Sequence, residues 1–326
     1  MELLPKDYPK YDFIMQGVTH GFHIIDTSTF ESCASVEMCN YLSATGPDIC
    51  HKVEQQIHEE LDNGRYIVVT SKPKIVSALG AIPKKRSNDV RLIHDCSRPS
   101  GNAVNDYAVN SHFKYQSMQD AVDPIKPGYF LGKIDLAHAY RVVEIHESNY
   151  QATGLRWTFQ GDQSPTYLVD SRLPFGARRS PEIFNELTQS VRHIMTEMGY
   201  PGVIAYLDDF LCVAPSQDEC TKTMNELRGV LRALGFHINY NKIEGPNQRL
   251  TFLGIVLDST KMTLELPMDK INDLQSTLQK FYTRTKVTKV QIQALAGKLN
   301  WATQCIYGGR FHLRRLIDSY TPLKKP

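Results

Sequence analysis

Apolar positions along the chain follow two periods that alternate without strict repetition. In DICHKVEQQIHEELDNGRY, Val53, Ile57 and Leu61 form the stripe of an amphipathic helix that Asn63-Gly64 ends. The runs RYIVVT, KIVSALGAI and VRLIHDCS are short, apolar and broken by Pro and Gly, and predict strands. YFLGKIDLAHAYRVVEI, Tyr129 to Ile145, predicts a strand at each end of a turn or short helix. PEIFNELTQSVRHIMTEMG predicts a helix with Ser180 as N-cap, Pro181 at its first position and Gly199 closing it. VIAYLDDFLCVA predicts a hairpin with acidic residues at its turn, and SQDECTKTMNELRGVLRALG a second amphipathic helix stopped at Gly235. RLTFLGIVLD and MTLELP predict a strand pair, and two helices, 268–283 and 288–305, complete the pattern. Residues 1 to about 50 show little period and are expected to be irregular. Strands mixed with helices without βαβ repetition place the chain in the α+β class.

Composition adds little to this picture. With 41% hydrophobic and 22% charged residues, the 326-residue chain is expected to be soluble and to bury a sizeable core. No apolar run reaches membrane-span length and MELLPKDYPKYDF lacks an apolar signal core, so an intracellular protein of cytoplasm or nucleus is expected, without membrane contact. The seven cysteines contain no CxxC pair. Cys33, Cys39, Cys50 and His51 lack zinc spacing, and reduced structural thiols are expected.

Charge changes the picture more. Acids dominate residues 1–63, whereas from Met268 onward eleven Lys and Arg face only Asp269, Asp273 and Asp318. A basic helical end suits a polyanion and equally suits a solvated face.

Asp208 and Asp209 pose the sharpest question, because a buried ionised carboxylate costs several kcal/mol unless compensated. On the dipeptide alone a solvated turn is the simpler reading. Asp135, however, ends another apolar segment, LGKID, also at a strand edge. Three carboxylates converging from neighbouring strand ends would make an oxygen-rich site for hard divalent cations. A pair of such ions serves phosphoryl or nucleotidyl transfer.

YLDD within an apolar hairpin resembles the YxDD signature of reverse transcriptases, and IDLAHAY resembles their preceding acidic palm motif. The resemblance extends in order through VRLIHDCSRPSGNAVND, KIDLAHAYRVVEI, LPFGARRSPEIFNEL, AYLDDFLCVA, LGFHINYNKIE and TFLGIVLD, from about Gly64 to Asp258. RLIHDCSRPSGNAVND and LAGKLNWATQCIYGGRFHLRRLID look most like DIRS-type tyrosine-recombinase retrotransposons, with gypsy-type elements next.

The resemblance implies a right-hand polymerase with an antiparallel palm sheet backed by helices. Residues 1–60 would be an acidic N-terminal extension with a helix, 61–265 fingers and palm, and 266–326 a basic helical thumb. It implies template-dependent transfer of dNTPs to a primer 3′-hydroxyl on an RNA or DNA template, with two Mg²⁺ ions, or Mn²⁺ in their place, on Asp135, Asp208 and Asp209. Tyr140 falls where the family carries an aromatic gate against the ribose 2′-hydroxyl; an ordinary core aromatic is the plainer reading. Arg91 with Lys84, or equally Lys85, would close on the nucleotide phosphates, and Asp95 would brace that loop. Gly176 would permit close approach of the nascent pair. Ser180 and Pro181 would open the helix beneath the template, with Arg178 and Arg179 on its phosphates or merely on the surface. Phe175 departs from the Gln usual in retroviral enzymes. Lys242 would help protonate the leaving pyrophosphate, and Phe252, Leu253 and Gly254 would hold the primer end. The stop at PLKKP leaves no room for ribonuclease H or a recombinase, expected as further polyprotein domains outside this chain. A non-catalytic nucleic-acid-binding remnant is the alternative; a viral RNA-dependent RNA polymerase, commonly with Gly-Asp-Asp and no aromatic gate, is a third reading.

Overall fold

The computed structural model describes residues 3–84, 89–109 and 113–321. Helices α1 (Tyr11–His20) and α2 (Thr27–Phe30) lead into a five-stranded sheet. Its strands are β1 (Val36–Glu37), β2 (Tyr66–Val69), β3 (Ile75–Val76), β7 (Gly154–Trp157) and β8 (Thr166–Asp170), ordered β1-β3-β7-β8-β2. Helices α3 (Leu42–Thr45) and α4 (Cys50–Asp62) lie between β1 and β2 in sequence, and β4 (Leu79–Pro83) pairs with β5 (Val90–His94) as a separate hairpin. After the short α5 (Met118–Val122) comes an antiparallel sheet of β6 (Phe130–Asp135), β9 (Val203–Tyr206), β10 (Asp209–Ala214) and β11 (Glu244–Asn247), ordered β11-β6-β10-β9. Helices α6 (Ser180–Glu197) and α7 (Gln217–Ala233) back it. A three-stranded sheet of β12 (Arg249–Phe252), β13 (Ile255–Asp258) and β14 (Thr263–Glu265) follows, then α8 (Met268–Tyr282), α9 (Lys289–Ala302) and α10 (Gly309–Tyr320).

Beyond Asp209, strand β10 is apolar because both its faces are covered. Phe210, Cys212 and Ala214 face Val191, Ile194, Met224 and Leu227 of the two backing helices, in the core they share. Leu211 and Val213, on the opposite face, join Leu250, Phe252 and Leu257. Each such large side chain contributes about 1.5–3 kcal/mol when fully buried. That double cover fixes the position of the β9–β10 turn.

Four expectations are corrected. Residues before 50 are not irregular: α1 is a full helix, and Leu4, Ile14, Phe22, Ile24, Ile25 and Phe30 enter the same core as α6 and α7. Their burial comes from tertiary packing, which a one-dimensional period does not register. The run RVVEI makes only isolated bridges, Ile145 with Phe22 and Glu144 with Arg172, because this N-terminal segment and one loop flank it instead of a sheet. Arg179 occupies the N-cap of α6, and Ser180 is its first residue, fully buried, with Oγ donating 2.9 Å to the Pro174 carbonyl. The Ser180 side chain therefore holds the loop-to-helix join and is buried there. Finally, a third C-terminal helix, α10, follows the two expected.

Candidate active site

The two carboxylate-bearing strands are neighbours. Asp209 stands opposite Asp135 in the β10–β6 register and opposite Tyr206 in the β10–β9 register. Leu207 and Asp208 alone make the turn, with Leu207 at φ 51°, and the Asp208 carbonyl accepts the Leu136 N–H at 2.8 Å. A side chain other than glycine in this left-handed region costs roughly 1–2 kcal/mol, which the strands' pairing and packing must offset. The sharp turn frees Asp208 from the strict alternation of a strand.

Burial and mutual repulsion act on these acids. Asp135 is 5% exposed, and Asp208 and Asp209 are half-buried. Burial first, then the neighbouring charges of Asp208 and Asp135, push the Asp209 carboxyl up to about 6. Burial and Asp135 also raise Asp208. The compensating cation present is Lys242, whose Nζ donates to both Asp135 oxygens at 3.0 and 3.1 Å; Asn239 Nδ2 adds a third contact at 3.2 Å.

The donor set is all carboxylate oxygen, the chemistry a hard divalent cation takes, and such an ion would relieve the repulsion that raises Asp208 and Asp209. With Lys242 on Asp135, no group of three or more His, Cys, Asp or Glu side chains among the described residues is assembled to hold a metal. Loading an ion on all three acids requires that ammonium to yield. Cys33, Cys39 and Cys50, like the other four cysteines, are free thiols.

A cavity of about 630 Å³ opens beside the acids, walled by Asp135, Asp208, Lys84, Arg91, Phe175 and Lys242 among others. Arg91 lies on β5, its guanidinium 5.1 Å from the Phe175 ring centroid. Lys84, at the end of β4, is 3.8 Å from Asp89, while Lys85 falls outside the described residues. Tyr140 packs against Phe175 with tilted rings 5.1 Å apart and meets Phe184 edge-on at 5.3 Å. Burial, then nearby Tyr115 and Asp208, raise its hydroxyl pKa. Gly176 has a local reason to be glycine: at φ 133°, a Cβ there would lie 1.9 Å from the His94 carbonyl oxygen.

The primer-end candidates sit apart from this cavity. Phe252 is fully buried, so only its backbone can face a ligand, and Leu253 and Gly254 form a two-residue turn with φ of 47° and 78°. A Cβ at Gly254 would stand 3.1 Å from Trp301 of α9. Pro181 is half-buried and Arg178 exposed at the start of α6.

Sequence reasoning passed over Arg141, whose guanidinium is 9% exposed and bound to Glu60 and Asp170, all three lining the cavity. The available signal was a lone charge inside the apolar stretch AYRVV.

This hairpin, with acids at its turn beside an acid-ended strand on a helix-backed antiparallel sheet, is the palm of a nucleotide polymerase. The chain belongs to the reverse transcriptase (RNA-dependent DNA polymerase) family, which it matches over residues 82–257. It is 23% identical over 214 residues to the Gag-Pol polyprotein of Gibbon ape leukemia virus, which covers 65% of this chain and 12% of that polyprotein. It is 28% identical over 156 residues to Protein P of Woodchuck hepatitis B virus (isolate 59), covering 46% of this chain and 17% of that protein. The chain thus spans a small part of these relatives' length. Its fold is that of a foamy viral protease-reverse transcriptase in complex with double-stranded DNA (TM-score 0.64, 18% identity, 90% of this chain, 52% of the other). The same enzyme in complex with an RNA/DNA hybrid gives a TM-score of 0.63, with 19% identity over 87% of this chain and 36% of the other. Among the described residues, no helix is long and apolar enough to cross a membrane.

Proposed function

We propose that the chain is an RNA-directed DNA polymerase that adds deoxynucleotides to a primer 3′-hydroxyl on an RNA or DNA template. The observation that supports this most directly is the pairing of Asp135 with Asp209 across β6 and β10, with Asp208 at the adjoining turn. Asp135, Asp208 and Asp209 would hold Mg²⁺, or Mn²⁺, as a pair of ions. Bound there, the metal supplies activation of the attacking hydroxyl and neutralises charge on the phosphates.

The remaining chemistry falls to the chain's own groups. Arg91 presents a fork of donors to phosphate oxygens, and Lys84 a mobile point charge. Lys242, released from Asp135, delivers a proton to the departing pyrophosphate. The Tyr140 ring lies beneath the sugar and excludes a 2′-hydroxyl. Backbone at Phe252, Leu253 and Gly254 steadies the primer end, Gly176 permits close approach of the nascent pair, and Pro181 borders the template side. Residues 61–265 then serve as fingers and palm, 266–326 as thumb, and 1–60 as an acidic N-terminal extension.

We further assign the chain to a retrotransposon, nearest in wording to DIRS-type elements, on RLIHDCSRPSGNAVND and LAGKLNWATQCIYGGRFHLRRLID. Primer extension on RNA and on DNA templates tests the activity. Incorporation that requires Mg²⁺ and disappears in Asp208→Asn is expected. Tight primer-template binding with no incorporation by the wild type would instead support a non-catalytic remnant.

A further inference from the structure

The segment joining Asp135 to Tyr140 is strained. His138 and Ala139 have φ of 62° and 26°, and the short 3₁₀ turn Ala139–Val142 carries the half-buried Tyr140. Two consecutive non-glycine residues at positive φ persist only where surrounding contacts hold them. Ala139, Tyr140 and Val142 pack against the core, and two backbone bonds help to hold the turn. Ala137 N–H donates to His237 at 2.7 Å, and Arg141 N–H to His138 at 2.6 Å.

The side chain of Arg141 supplies the anchor. Its Nε and one terminal nitrogen donate to Glu60 Oε2 at 3.0 and 2.7 Å, and the other donates to Asp170 Oδ2 at 2.7 Å and to the Leu173 carbonyl at 3.4 Å. Its planar face lies 5.4 Å from the Tyr66 ring centroid. Glu60 belongs to α4 and Asp170 to β8, so one guanidinium ties the turn to two elements of another layer. Asp170 is fully buried, its second oxygen takes the Arg172 N–H at 2.9 Å, and His94 Nε2 stands 3.6 Å away. Glu60 also takes Arg65 Nε at 2.8 Å. Planar, always charged and multiply bound, this side chain cannot be replaced by lysine without loss of the fork.

We propose that Arg141 is a positioning residue for sugar selection: held between Glu60 and Asp170, it fixes the strained turn so that the adjacent Tyr140 ring stands at a set height beneath the nucleotide sugar. Arg141, Glu60 and Asp170 line the same cavity as Asp135 and Asp208, and in this proposal they act on the sugar through Tyr140. The inference rests on the polymerase reading and specifies what enforces its choice of deoxynucleotide.

The test is single-nucleotide extension by the full chain, comparing kcat/KM for a dNTP and the matching rNTP in the wild type, Asp170→Asn, Tyr140→Ala and the double variant, with thermal unfolding of each. Asp170→Asn is expected to lower the dNTP/rNTP ratio about tenfold, and to change it no further in the Tyr140→Ala background, since the two act through one ring. Glu60→Gln, on the other arm of the guanidinium, is expected to do the same and serves if Asp170→Asn does not fold. A lower unfolding temperature with an unchanged ratio would overturn the inference, leaving a purely structural ion cluster. An equal drop in both backgrounds would overturn it too, because general loosening of the site needs no Tyr140. Absence of any extension by the wild type would mark the failure of the polymerase reading itself, and the inference would fall with it.

Discussion

Lys242 grips Asp135 through both carboxylate oxygens while remaining more than half exposed itself. The lysine is thus a removable counter-ion on the most buried acid of the site. Lys242→Met should lower kcat for extension by about 100-fold if the amine delivers a proton. It should also tighten Mg²⁺ binding, because the competing ammonium is gone. Single-turnover kinetics and metal titration of the same variant read the two effects separately.

Asp209 carries a stability cost. Its carboxyl is pushed up to about 6 by burial and by the charges of Asp208 and Asp135. Asp209→Asn removes that repulsion and should stabilise the metal-free protein at neutral pH by about 1–2 kcal/mol, while abolishing extension. Denaturant unfolding with and without Mg²⁺ checks this: the metal should stabilise the wild type more than the variant.

Gly176 admits no side chain. A Cβ would meet the His94 carbonyl oxygen at 1.9 Å, and backbone on a paired strand cannot step aside cheaply. Gly176→Ala should destabilise by about 2–4 kcal/mol, seen as a lowered midpoint in urea, and should displace Phe175 with Arg91 stacked on it.

The ion cluster lining the cavity predicts acid sensitivity. Burial alone would raise Glu60, but Arg141 and then Arg65 outweigh it and hold its carboxyl below the ordinary value of 4.5. A depressed folded-state pKa adds stability that is present above the unfolded value and lost as pH falls through the folded one. Stability measured downward from pH 5 should therefore decline in the wild type and less steeply in Glu60→Gln. Removing the partner by Arg141→Ala should cost about 3–5 kcal/mol at neutral pH, because the fully buried Asp170 would then lose its guanidinium and Glu60 would keep only Arg65.

Much of this site was legible in the chain because its acids sit at the ends of apolar runs. LGKID and AYLDDFLCVA announce both their strands and the places where the strands stop. The β9–β10 hairpin and helices α6 and α7 follow from period alone. Strands β7, β8 and β11 did not emerge: GLRW and TYLVD are short, and EGPN holds a glycine and a proline, so their strand character comes from the neighbours they pair with. Nor did the N-terminal segment declare its burial, since Phe22, Ile24 and Ile25 pack singly against α6 and α7 without a repeat. Ser180 misled for a different reason. It belongs to a residue type favoured at helix starts, yet the Pro174 carbonyl in the preceding loop captured its hydroxyl. Arg141 stayed hidden because its partners lie 81 and 29 residues away, distances at which sequence carries no pattern.

Trp301 rests over Gly254, the bare tip of the β12–β13 hairpin. The indole acts as a bearing surface between the C-terminal helical arm and the hairpin tip, with Cys305 seated on the same core beside it. A side chain at position 254 would lift the arm off its seat, and would change how it leans without altering any of the three acids.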